Sequence, residues 1–205
     1  MYRYTKVLFV FLFVLIMVSC KNDVKEEQEV VAPQQTEKTS ITKGKKTELT
    51  QEQVDQINSV MSRLMVNPEL KKFSSLLVTV GLTDILSTDE GPYTVLAPSN
   101  KAFDSLNVEK WNFLLNPVNK EALTTLLKAH IVKGNFDSAV MLQSIKKNNG
   151  NLKLETLEGE NLTVSKQEMD IIISDGKNGA ATMTQSDING SNGVVHVLDA
   201  VLYVD

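Results

Sequence analysis

Apolar residues recur at helical spacing early in the chain and at strand spacing late in it. Val54, Ile57, Met61 and Leu64 fall on one helical face, with Val60 and Met65 widening the stripe. Thr50 stands where a helix cap belongs, and Gln53 takes the reciprocal capping-box position. Asn67-Pro68 ends that helix, because the residue before a proline is pushed out of the helical region. A second helix is predicted from about Glu69, with Phe73, Leu76, Leu77 and Val80 on one face and Gly81 as its carboxyl-terminal cap. Thr83 to Leu86 makes a short turn or helix before the break at Gly91-Pro92. Tyr93 to Pro98 then reads as a strand, and Ser99 starts a helix carrying Ala102, Phe103 and Leu106.

From Leu152 onward the period changes to two. Asp137 to Ile145 is a short amphipathic segment, followed by a turn at Asn148-Asn149-Gly150 and an alternating strand from Leu152 to Leu157. Glu158-Gly159-Glu160-Asn161 makes a hairpin turn into Leu162-Thr163-Val164. Ile171-Ile172-Ile173 is a further strand, Asp175 to Gly179 a loop, and Ala180 to Thr184 another strand. Asp187-Ile188 leads into the last stretch, Asn192 to Tyr203. That stretch opens on Asn192-Gly193, a pair that favours positive φ, and runs on through valines and leucines broken only by His196 and Asp199. A polar side chain inside such a strand must be hydrogen-bonded, solvated or used, since an unpaired buried polar group costs about 1–3 kcal/mol. Helices first and strands after predict an α+β fold.

The amino-terminal part carries neither period. Arg3 and Lys6 precede an apolar run from Val7 to Val18, which falls short of the roughly 20 residues a membrane-spanning helix needs and reads as a secretory signal. The only cysteine, Cys20, closes it, so the segment resembles a bacterial lipoprotein signal peptide, with Met17 where a leucine is usual. Lipidation of Cys20 would add about 0.8 kcal/mol of membrane affinity per buried methylene. Beyond it, intermixed Lys and Glu with no aromatic residue cannot offset the entropy of ordering. This flexible tether has a root-mean-square reach of about 30 Å. The predicted organisation is a signal peptide over residues 1–19, lipidated Cys20 with its tether over 20–49, and one folded domain over 50–205.

Composition narrows the functions. With 205 residues and 42% hydrophobic content, the chain fills one ordinary core. A net charge of −4 and no basic stripe argue against nucleic acid. One cysteine and two histidines cannot assemble a zinc site of Cys and His. The run from Asp187 to Asn192 places oxygen-bearing side chains like a calcium loop, but has Asn192 where the glycine belongs and Leu198 in place of the bidentate glutamate. No cofactor and no metal are expected, and no nucleophile stands with a base at catalytic spacing.

Two stretches far apart in the predicted domain carry a family likeness. The run from Tyr93 to Phe103, YTVLAPSNKAF, and the run from Asn192 to Leu202, NGVVHVLDAVL, resemble the two hallmark motifs of the fasciclin domain. In the first, Thr94, Ala97, Pro98, Asn100, Ala102 and Phe103 match and Ser99 replaces a threonine. In the second, Asn192, Gly193, His196 and Asp199 match. Between them LTTLLKAHIVKG, from Leu123 to Gly134, resembles the family's central helix and strand. It keeps His130 but has Ala129 in place of a tyrosine and Lys133 in place of a proline. The resemblance implies a wedge-shaped fold, a small twisted β-sandwich flanked by a helical layer, in which these motif residues are structural.

In animal adhesion proteins of that family, integrin recognition is attached to an Asp-Ile pair before the terminal motif and to a Tyr-His pair. Asp187 and Ile188 match the first, and His130 retains half of the second, so these three are the candidate adhesion contacts. The expectation is a non-enzymatic lipoprotein of the bacterial cell envelope, held at the outer membrane, that binds matrix, polysaccharide or a surface protein. The alternative is a carrier of a small apolar ligand, a lipid or pigment, in a crevice between helices and sheet.

Overall fold

The computed structural model describes residues 48–87 and 91–203. The signal peptide, Cys20 and almost all of the tether lie outside the described residues. The helical layer comprises α1 (Gln51–Ile57), α2 (Val60–Val66), α3 (Lys71–Val80) and α4 (Thr83–Ser87), followed after the first strand by α5 (Asn100–Asp104), α6 (Val108–Leu115) and α7 (Lys120–Lys128). Short 3₁₀ turns at Pro68–Leu70 and Pro117–Asn119 lead into α3 and α7. The strands are β1 (Tyr93–Pro98), β2 (Ile131–Lys133), β3 (Asn151–Glu155), β4 (Asn161–Gln167), β5 (Asp170–Ser174), β6 (Ala180–Gly190) and β7 (Gly193–Leu198), with α8 (Ser138–Lys147) between β2 and β3. Among the described residues no helix is long and apolar enough to cross a membrane.

Thr50 closes the capping box with Gln53 as its sequence predicts, but the predicted first helix is two. Asn58 returns its amide to the Val54 carbonyl at 2.8 Å, and the Ser59 hydroxyl accepts from the Ser62 amide to start α2. These local bonds compete with the helical ladder and break it. The turn changes which residues face inward. Val60, Met61 and Leu64 are buried, whereas α1 buries nothing and Ile57 is 58% exposed.

The seven strands run in the order β2-β1-β7-β6-β5-β4-β3. The sandwich expected from the motifs is therefore one sheet curled on itself, whose outer strands meet where Val132 pairs with Thr156. The curl has two apolar fillings. Inside it, Leu96, Leu198 and the hairpin residues Leu154, Leu162, Val164 and Ile173 close on Met141 and Ile145 of α8. Outside it, Val95, Ala97, Val195 and Val197 pack against Leu64, Phe73, Leu77, Phe103 and Leu127 of the helices. Successive side chains of a strand point to opposite faces. The parallel pair β1 and β7 is thus apolar throughout because both of its faces are covered.

Candidate functional site

β1 and β7 lie side by side in parallel, Thr94 beside Val194 and Leu96 beside His196, so Thr94 and His196 share the inner face of the curl. Together they grip the stretch from Gly134 to Phe136 in the loop before α8. The Thr94 hydroxyl donates to the Gly134 carbonyl at 2.7 Å and accepts from the Phe136 amide at 2.9 Å. The His196 Nε2–H donates to the Phe136 carbonyl at 2.8 Å. Nδ1 of His196 accepts from the Asp187 amide at 3.3 Å, which assigns the neutral Nε2–H tautomer. Burial lowers the affinity of His196 for a proton, outweighing the Phe136 carbonyl and the charges of Asp187 and Asp137, which favour the imidazolium.

Asp187 reaches this position because β6 is irregular. Its register against β7 slips between Met183 and Gln185 and again between Gln185 and Ile188. Each slip inserts a residue, and the strand re-aims its side chains there. Asp187 itself has φ 62, a left-handed conformation that Asp tolerates through its short polar side chain. Its carboxylate accepts from the Ser138 amide at 2.8 Å and the Ser138 hydroxyl at 2.5 Å, at the start of α8. Burial pushes its pKa up. The bonds from Ser138 and Ser186 and the charge of His196 outweigh that and hold it below the ordinary carboxylate range.

Asp187 is therefore spoken for by α8, and Ile188 packs against the helical core. His130 is 1% exposed: its Nδ1–H donates to the Leu126 carbonyl at 2.8 Å and Nε2 accepts from the Leu202 amide at 3.1 Å. The candidate adhesion contact at His130 is corrected on this geometry, because a ring with both nitrogens bonded to backbone beneath the surface offers a partner nothing. Replacing Asp187 by Ala is expected to lower stability by about 2–3 kcal/mol, the cost of losing charge-assisted bonds and stranding the Ser138 donors. Thermal unfolding followed by circular dichroism measures it. An unchanged midpoint with partner binding lost would return Asp187 to a contact surface.

The remaining motif residues also work inside the fold. The Ser99 hydroxyl caps α5 by accepting from the Ala102 amide at 3.2 Å. Asn100 ties α5 to the start of α3, accepting from the Lys72 amide at 2.9 Å and donating to the Pro68 carbonyl at 2.9 Å. Asn192 joins three elements: its Oδ1 accepts from the Val60 amide, its Nδ2 donates to the Leu86 carbonyl, and its carbonyl accepts from the Tyr93 amide. Asp199, past the end of β7, accepts from the Thr182 amide at 2.6 Å and closes β6 against it. Ala97, Pro98 and Phe103 are packing, and Gly193 is a point of close approach between β1 and β7.

Several surface hollows open among the described residues, and two of them adjoin the motif residues and the helical layer. A cleft of about 490 Å³ lies between the Pro68 turn, the start of α5 and the first slip of β6. A crevice of about 340 Å³ runs between α6 and α7 and the residues around Glu158, Lys177 and Tyr203, with Phe113, Leu114, Leu126 and Ala129 along it. Sequence reasoning offers a crevice between helices and sheet without its lining residues, and it misses the cleft, Ser138 and Phe136. The helix-start pattern Asp137-Ser138 was the only signal for Ser138.

A family model described as the fasciclin domain matches residues 68–204. The chain is similar to Protein sll1483 of Synechocystis, 33% identical over 149 residues that cover 71% of this chain and 74% of that protein. It is similar to transforming growth factor-beta-induced protein ig-h3 of Sus scrofa, 33% identical over 148 residues, 72% of this chain but only 20% of that protein. Among solved structures, a FAS1 domain pair from the insect cell adhesion molecule Fasciclin I aligns with TM-score 0.54 and 26% identity, over 66% of this chain and 45% of that one.

Proposed function

The chain belongs to the fasciclin domain family, and from that premise we propose that it is a non-enzymatic binding module, held to the bacterial cell envelope by lipid on Cys20 and adhering to matrix, polysaccharide or a surface protein. One observation carries the reading. Every polar side chain of the two motifs that faces the interior is consumed in holding the fold, and both histidines have each ring nitrogen bonded to backbone. What is left for function is surface, as in an adhesion module rather than a catalyst. Its family includes an insect cell adhesion molecule. A lipid anchor with a flexible tether raises the effective concentration of further contacts once one has formed, so weak individual contacts suffice to hold surfaces together.

The test compares cells carrying the wild-type chain and Cys20→Ala. Loss of the variant from the carbonate-washed membrane fraction, together with reduced attachment of the cells to a polysaccharide-coated surface, is the expected result. A variant that still pellets overturns the lipid anchor. A released variant with undiminished attachment overturns adhesion.

The apolar crevice supports a second reading, a carrier of a small lipid or pigment. Its apolar stretch is framed by Lys110, Glu158, Glu160 and Lys177, the arrangement suited to a ligand with one apolar and one polar end. An apolar compound extracted with the protein and seen by mass spectrometry would favour this reading over adhesion.

A further inference from the structure

We propose that the cleft beside the first slip of β6 binds a neutral sugar chain, and that it is the contact through which the adhesion proposed above operates; the inference rests on that reading. The cleft of about 490 Å³ falls within the roughly 300–1,000 Å³ of small-ligand sites. Pro68, Glu69, Lys101, Thr184, Gln185 and Asp199 line it.

Its walls are held in place before any ligand arrives. The Asp199 carboxylate is fixed by the Thr182 amide, and Asn100 is bonded at both ends of its amide to the Lys72 and Pro68 backbone. The slip between Met183 and Gln185 does the rest: in a regular strand Thr184 and Gln185 would face opposite ways, yet both line the cleft and both are exposed. Against this rigid frame stand side chains with capacity to spare. Among the described residues Glu69, Lys101 and Gln185 make no side-chain hydrogen bond or ion pair, and only one Asp199 oxygen is engaged, by Thr182.

The chemistry of these groups selects the ligand. Carboxylates only accept, an ammonium only donates and an amide does both. A sugar's hydroxyls donate and accept at close spacing, so one ring satisfies all three kinds without bringing a charge. Two carboxylates against one ammonium disfavour an anion. An added peptide strand needs an evenly spaced edge, which the two slips in β6 remove. Pro68 adds an apolar surface for the C–H face of a ring.

The test titrates the full chain, carrying Cys20→Ala to keep it out of membranes, with maltohexaose, laminarihexaose, mannohexaose and xylohexaose. Amide chemical shifts of Thr184, Gln185 and Asp199 are followed by NMR. One of these probes is expected to move those amides with a Kd on the order of 1 mM. Gln185→Ala and Glu69→Gln, both at exposed positions, are each expected to weaken binding about tenfold with melting unchanged. The proposal is overturned if none of the four shifts these amides at about 20 mM, if the shifts cluster instead at the crevice beside α6 and α7, or if the two variants bind as the wild type does. Should attachment of cells still depend on Cys20 in any of those outcomes, adhesion stands and only the cleft assignment fails.

Discussion

Gly193→Ala is expected to unfold the domain or leave it marginal, with a loss of about 4 kcal/mol or more out of a total on the order of 5–15 kcal/mol. Gly193 opens β7 with φ 150 and sits directly beside Tyr93 of β1. A Cβ placed there runs into the Tyr93 carbonyl oxygen and also meets its carbonyl carbon and amide nitrogen at 2.8 Å. All three are backbone atoms of a strand covered on both faces, so nothing yields by rotating a side chain. Relief requires parting β1 from β7 at the point where the Tyr93 amide bonds the Asn192 carbonyl at 2.9 Å. Gly150→Ala is the control. Gly150 has φ 96 but nothing within 4 Å of an added Cβ, so only the backbone strain of about 1–2 kcal/mol remains. Urea unfolding of the two variants separates close approach from conformational preference. Equal midpoints would show that the β1–β7 contact at Gly193 is not tight.

The terminal stretch shows what a sequence conveys and what it withholds. Its apolar run announced a strand needing a sheet, and β7 is that strand in the middle of one. The polar interruptions announced bonded side chains, but not their partners, because the Phe136 carbonyl that receives His196 is 60 residues away. Asn192-Gly193 suggested positive φ for the pair, yet only Gly193 has it. Asn192 serves instead as a cross-link to Val60 and Leu86, separations that no local pattern encodes. The strong apolar face of α3 was legible from its spacing, and α7 through the family resemblance of the stretch from Leu123 to Gly134. By contrast α6 was not assigned, since Val108, Phe113 and Leu115 are exposed beside buried Leu114 and leave no clean stripe. The irregular half of β6, polar from Thr184 to Asp187, breaks the period of two because of its slips. The cleft is built on one of them and so was invisible for the same reason.

Acid is expected to destabilise the domain well before its carboxylates titrate. His130 is buried and neutral, and burial holds its pKa down at about 4 against the Leu126 carbonyl and the charge of Asp175, which favour protonation. The unfolded chain takes up that proton near pH 6.5, so it binds more protons than the folded state between about 4 and 6.5. Stability from His130 is thus complete above pH 6.5 and declines as the pH falls through that window, by about 2 kcal/mol from pH 7 to pH 5. His196, also lowered by burial, adds to the loss in the same direction. The geometry explains why neither ring accepts a proton in place. Nε2 of His130 faces the Leu202 N–H and Nδ1 of His196 faces the Asp187 N–H, so a second ring proton would set donor against donor. Asp187 acts lower: its depressed pKa supplies stability above the ordinary carboxylate value that disappears only below it. Urea midpoints measured at pH 7, 6 and 5 should therefore fall steadily for the wild type. His130→Gln should be weaker at pH 7 but show a shallower fall, because only His196 still titrates. A wild type equally stable at pH 7 and 5, or a variant with the same slope, would mean that the buried histidine is protonated without penalty.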